Sequence, residues 1–147
     1  MSTTSLSPSP SIDAPKSGRG LHIALWVVQG LLALLFLFSG GMKLVMPVEE
    51  LAKNMSFIAQ SGPALVRFIG ASEVAGALGL ILPAATRIQP KLTPLAGLGL
   101  AVVMVLAVAT HVALGELPQT VVPAVVAGLA AFVAWGRWKK APIAPKA

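Results

Sequence analysis

Glu73 stands near the middle of a long apolar stretch, in the run Phe68-Ile69-Gly70-Ala71-Ser72-Glu73-Val74-Ala75-Gly76. A carboxylate inside lipid costs a few kcal/mol by insertion scales unless a partner or water receives it. A group kept at that cost is a candidate for chemistry, and the chemistry open to it is proton transfer in a site shielded from water. His111, close to the end of another apolar stretch, is the second group able to carry a proton there. Glu73 and His111 are therefore the candidate catalytic residues. Lys43 and Gln29 bring N–H donors that could polarise a carbonyl. Gly70 and Gly76 each lie three residues from Glu73 and leave room for a backbone or ligand to approach it. These four are the candidate ligand-binding residues. The plainer reading is a polar clamp that sets helix register and performs no reaction. Gln29, Ser39, Ser72 and Thr110 more commonly pack or bond within helices than react.

Composition places these groups in a membrane. Of 147 residues, 56% are hydrophobic and only 11% are charged, against about 25% charged in a soluble domain. The mean hydropathy is +0.83 and the pI about 10.4. The net charge of +6 does not describe a nucleic-acid binder, because the basic residues are not interleaved with aromatics on a polar face. They flank the apolar segments, as headgroup contact and topology require. Cysteine is absent, which removes disulfides, thiolate nucleophiles, iron–sulfur ligation and cysteine-based zinc sites. His22 and His111 lie near opposite ends of their segments, a poor arrangement for ligating one haem. No metal site is expected.

The expected fold is all-α, a bundle of four transmembrane helices with a short external amphipathic helix between the first two. Residues 1–20, rich in Ser, Pro and Thr, read as a disordered cytoplasmic tail. The membrane domain covers residues 21–138, and residues 139–147 form a basic cytoplasmic tail. Spans are expected at Leu21–Met42, Pro63–Ala84, Leu92–Leu114 and Thr120–Trp138, each long enough or nearly so for the roughly 20 residues a bilayer core needs. The first lacks a signal-peptide cleavage site at Gly40-Gly41-Met42-Lys43 and is read as retained. In Pro47–Gln60, residues Val48, Leu51, Ala52, Met55, Ile58 and Ala59 fall at helical spacing, with Glu49 and Lys53 paired on the other face. Trp135 and Trp138 suit a headgroup belt.

With the N-terminus inside, Lys16, Arg19, Arg87, Lys91, Arg137, Lys139, Lys140 and Lys146 are cytoplasmic, and only Lys43, Lys53 and Arg67 fall outside. That bias places both termini in the cytoplasm. Glu73 then lies about 15 Å below the outer end of its helix and His111 about 6 Å below its own. Gln29, Ala33, Phe36, Gly40 and Lys43 form one stripe, and Gly97, Ala101, Met104, Val108, His111 and Gly115 another. Small-residue stripes of this kind pack helices closely in lipid. His111 is the expected partner of Glu73 and Lys43 the second choice. Arg67, about 120° around the helix from Glu73, is expected to snorkel to the headgroups.

Taken together, Phe38-Ser39-Gly40-Gly41-Met42-Lys43-Leu44, the run Gly70-Ala71-Ser72-Glu73-Val74-Ala75-Gly76-Ala77-Leu78-Gly79-Leu80 leading to Pro83, Pro94, His111, and Gly136-Arg137 resemble the DoxX-like family over about Leu21 to Trp138. The resemblance implies a multi-pass protein of the bacterial inner membrane. Some members are associated with membrane oxidoreductase systems, including subunits of a thiosulfate:quinone oxidoreductase, and others act in membrane-protein assembly. The expectation is therefore an accessory or quinone-site component of a membrane oxidoreductase system. A quinone is the one cofactor that reading points to. Its partners would be the lipid bilayer and a membrane redox enzyme or other membrane protein, with no nucleic acid. The alternative is a non-enzymatic membrane assembly or scaffold protein with a structural polar cluster. A permease fits less well, since no inverted repeat or pair of broken helices is evident.

Overall fold

Pro47, Pro63 and the Pro90-Lys91 turn divide the apolar sequence into helices, because proline disfavours a helical conformation in the residue before it and lacks an N–H of its own. The computed structural model describes residues 17–146. Its elements are α1 (Ser17–Val45), α2 (Val48–Ala52), α3 (Ser56–Gln60), α4 (Pro63–Thr86), α5 (Leu92–Ala113), a 3₁₀ turn (Leu117–Thr120), α6 (Val121–Trp135) and a π turn (Gly136–Lys140). Among the described residues there is no strand. The greater part of the expected 1–20 tail lies outside these residues. Ser17–Gly20, placed in that tail by composition, are helical in α1.

Four segments are long and apolar enough to cross a membrane: Gly18–Val45, Pro63–Thr86, Leu92–Ala113 and Leu117–Lys140. α4 starts with Pro63 at its first turn and stops at Arg87, whose φ of 60° ends the helix in a left-handed cap. α1 packs on α4, α4 on α5 and α5 on α6, while the return contact of α6 on α1 is thinner. Their shared core is Leu32, Ala33, Phe36, Ala77, Leu80, Leu100, Ala101, Val126, Ala130 and Val133. The α1 stripe is buried from Gln29 through Ala33 and Phe36 to Lys43. On α5, Gly97 and Ala101 are buried, but Met104, Val108 and His111 are only half-buried. The helices diverge around a cavity at that end.

The segment between α1 and α4 differs from the single helix expected. It breaks at Lys53–Met55 into α2 and α3, and the break shifts the helical phase. Leu51 and Ile58 are buried with Val66, supported by Met42, Met46, Val48, Ala52 and Phe57. Met55 and Ala59, expected on the apolar face, are exposed. Lys53 pairs with Glu50 at 2.7 Å rather than with Glu49. At the other end of the bundle, the chain beyond the π turn folds back on the α4–α5 turn. Arg87 donates there to the carbonyls of Ala144 and Pro145, and Lys146 N–H donates to Arg87 O.

Glycine matters most where α1 crosses α4. A Cβ on Gly40 would lie 2.7 Å from Gly70 O, and one on Gly70 would lie 2.9 Å from Gly40 O and 2.8 Å from Lys43 Cβ. Helix–helix packing in lipid rests on such close backbone approach. Gly70→Leu should therefore force α1 and α4 apart at a cost of about 1–3 kcal/mol, the range for overpacking. A lowered thermal midpoint in detergent would register it. Gly41→Leu should leave that midpoint almost unchanged, because a Cβ on Gly41 meets nothing within 4 Å.

Candidate functional site

The Gly40–Gly70 approach brings two side chains together one turn further along each helix. Lys43 Nζ donates to Glu73 Oε2 at 3.1 Å and Oε1 at 3.3 Å. Ser39 closes the group, accepting from Lys43 Nζ at 2.6 Å and donating to Glu73 Oε2 at 3.1 Å. The side chains of Lys43 and Glu73 are only 7% and 3% exposed, so each charge is answered almost wholly by protein. Removing one member of such a pair leaves a buried unpaired charge and typically costs about 3–5 kcal/mol.

Arg67 holds this arrangement from the side. Its Nη1 donates to Lys43 O at 2.5 Å and Met46 O at 2.8 Å. Lys43 O is in the last turn of α1 and Met46 O directly follows the helix, where acceptors are left unused and partial negative charge gathers. Arg67 thus caps α1 instead of reaching away to the headgroups as expected. The physical reason is that the α1–α4 crossing puts unsatisfied carbonyls within its reach.

His111 is not hydrogen-bonded to Glu73, contrary to the preferred pairing. Its Nδ1 lies 2.8 Å from Glu116 Oε2, and because a carboxylate only accepts, Nδ1 carries the proton. Glu116 also accepts from Ser56 Oγ, which ties α3 to the α5–α6 connection. Glu73 turns to α1 because that is the side of α4 where backbones touch. Toward α5, at this level, stands open space.

That space is a cavity of about 940 Å³, lined by Glu73, Lys43, Ser39 and His111 together with Phe36, Phe68, Ile69, Met104, Ala107 and Val126 among others. Residues Ala52–Phe57 form part of its wall, and Glu116 and Gln119 line it from the α5–α6 connection. Glu73 and His111 therefore share one chamber without touching. Its volume falls in the range of small-molecule sites, which combine apolar walls with a few placed polar groups.

Three of the six candidate residues take other roles. Gly70 lies against α1 rather than a ligand, and the space beside Gly76 is filled by Leu100, 2.5 Å from where a Cβ would be. Gln29 belongs to the far end. Its amide donates to Leu80 O at 2.6 Å and its Oε1 accepts from Arg137 Nε at 2.6 Å. Leu80 O is next to Gly79 O, the carbonyl that Pro83 leaves without its helical N–H.

Sequence reasoning passed over Ser39, Ser56 and Arg137 as site residues. Ser39 is four residues before Lys43 and shares its helix face. Arg137 continues the buried α6 spacing of Val126, Ala130 and Val133; that periodicity was the signal for its burial. Among the described residues no three His, Asp or Glu side chains gather as a metal site would require.

Four apolar helices around a buried ion pair and a chamber define a small multi-pass membrane protein. The chain belongs to the DoxX-like family, whose family model matches residues 27–133. No curated protein and no solved structure matches it.

The Glu116 strap has a pH signature. Hydrogen bonds from Ser56 and then His111 hold its carboxyl below the ordinary 4.5. A carboxyl depressed in the fold contributes stability that is present above its unfolded pKa and lost as pH falls through the folded value. The α3 tether should accordingly persist at pH 4.5 and release below it. Carboxyl-carbon NMR of Glu116 should report a titration below 4.5 that moves upward in Ser56→Ala.

Proposed function

We propose that this protein is an accessory or quinone-site component of a membrane oxidoreductase system, with the chamber beside Glu73 as the binding site. The observation that carries the reading is the joining of a cavity of about 940 Å³ to a buried Lys43–Glu73–Ser39 group and to His111. A flat amphipathic head fits apolar walls of this kind, and Lys43 on the wall polarises a carbonyl oxygen by exchanging one of its bonds to Ser39 or Glu73 for the ligand. A quinone supplies a two-electron couple whose reduction also consumes protons. Glu73 and His111 are the groups on the wall that hold and exchange protons, and Ser39 connects Lys43 to the carboxylate. Electrons come from a partner redox protein of the membrane. Gln29 has no part in this site, since it is engaged by Leu80 and Arg137.

The scaffold reading has one observation in its favour. The ion pair closes on itself at the tightest approach of α1 and α4, as a register clamp would. Two substitutions separate the readings. Glu73→Gln keeps shape and hydrogen bonding, and Glu73→Leu removes both. Because Glu73→Gln alone strands the Lys43 charge, it is made together with Lys43→Gln, which removes both charges. A binding and proton site loses activity and quinone retention in this double variant at normal abundance, whereas a clamp tolerates it and loses abundance with Glu73→Leu. Gentle purification followed by extraction for quinone reads the first outcome directly, and equal tolerance of both variants rejects either role.

The location that accompanies this reading is the bacterial inner membrane with both termini cytoplasmic, supported by the distribution of Lys and Arg. Reporter fusions at Gly115 and Ala147 should then report opposite compartments, with Ala147 inside. The reverse assignment would place the Glu73 chamber toward the cytoplasm.

A further inference from the structure

At the opposite end of the bundle from Glu73, the chemistry is unbalanced. Arg137 is 3% exposed, yet no carboxylate faces it among the described residues. The described acids, Glu49, Glu50, Glu73 and Glu116, all belong to the chamber end, whereas Arg19, Arg87, Lys91, Arg137, Lys139, Lys140 and Lys146 gather at this one. Asp13 lies outside the described residues. A guanidinium taken out of water without an anion is expensive, by several kcal/mol in real proteins.

The hydrogen bonds are unbalanced too. Arg137 Nε donates to Gln29 Oε1 at 2.6 Å and Nη1 to Ala141 O at 3.1 Å. Among the described residues, buried Nη2 has no partner. Arg137 Nη1 also lies 3.0 Å from His22 Nδ1, while Trp26 Nε1 lies 3.1 Å from His22 Nε2. Arginine and indole can only donate, and a neutral imidazole has one acceptor nitrogen. One of the two donors therefore meets an N–H. Thr93 Oγ1 is a second buried atom without a partner among the described residues. It lies one turn from Gly97, which packs on Ala130 and Ala134, and so stands near the level of Gly136 and Arg137.

A buried guanidinium with surplus donors, set among further cations, calls for an acceptor that carries negative charge. We propose that the Arg137 cluster is an oxyanion site that holds the phosphate of an anionic phospholipid. The lipid source follows from position. Arg137 lies in the last turns of the span Leu117–Lys140, beside Trp135 and Trp138, which are 47% and 57% exposed and suit the headgroup layer. Lys139 and Lys140 are exposed next to it. His22 is exposed as well. Rotation of its ring frees Nη1 for a phosphate oxygen, and the planar fork of the guanidinium matches a second oxygen at Nη2. Trp26, with its ring centroid 5.4 Å from Arg137 Cζ, steadies the guanidinium from its face.

The test uses the full chain in detergent, titrated with phosphatidylglycerol, with diacylglycerol (the same lipid body without phosphate) and with inorganic phosphate. Phosphatidylglycerol should raise the thermal midpoint and remain bound in native mass spectra, and the other two should do neither. Equal effect of diacylglycerol would overturn the phosphate contact. Equal effect of inorganic phosphate would replace the lipid by a free anion and overturn the lipid source. Arg137→Gln should weaken phosphatidylglycerol binding by about tenfold or more, the value of a charge-assisted hydrogen bond. Lys139→Gln with Lys140→Gln should weaken it by less, as exposed charges do. Equal losses in the two would reduce the site to general surface attraction. Asp13→Asn should leave binding unchanged, and tighter binding in that variant would show that the chain's own carboxylate occupies the site. If Arg137→Gln does not fold, the three titrations of the unaltered protein decide alone.

Discussion

Inside lipid a carboxyl group without a partner is costly, so Glu73 has to be met by groups of its own chain. Lys43 can meet it only because α1 and α4 touch backbone to backbone at Gly40 and Gly70. Side chains larger than hydrogen at that crossing would hold the helices apart and stretch the pair. Arg67 then fastens the end of α1 to α4, which sets the height of Lys43 relative to Glu73. Ion pair, helix crossing and cap form one connected constraint, and the chamber exists beside it because α5 and α6 do not come equally close at this level.

The two polar ends are separated by packed hydrocarbon. Between Ser39 and Gln29 on α1 lie Leu32, Ala33 and Phe36, each at most 5% exposed, packed with Ala77, Leu80 and Leu100. No chain of described polar side chains crosses this layer. The chamber end holds paired acids and bases, while the Arg137 end holds cations and donors in excess. Each end therefore selects a different chemistry.

Much of the architecture was legible because lipid imposes severe rules on sequence. A helix must satisfy its backbone internally, so apolar length and proline position mark the spans to within a few residues. The inward stripe from Gln29 to Lys43 could also be read from spacing, since 3.6-residue periodicity and small residues place it against a neighbour. Glu73 was recognisable as the costly group by its type alone. Less legible was the segment around Lys53–Met55, where a short break turns Met55 and Ala59 out and Phe57 in, while Ile58 is buried as its spacing implied. Periodicity assumes an unbroken helix, and one turn of altered phase reverses its prediction.

By itself, then, the sequence determined the four spans, their inward faces and the residue that needs a partner, since these depend on composition and helical period. Which partner that residue takes was decided by tertiary structure. Depth along a helix can be counted, but the side of Glu73 approached by α1, and the gap that keeps His111 away with Glu116, follow from how glycine surfaces meet. The same holds for Gln29 and Arg137, 108 residues apart and joined at 2.6 Å. Local pattern places each on an inward face, and only the closure of α6 onto α1 makes them neighbours.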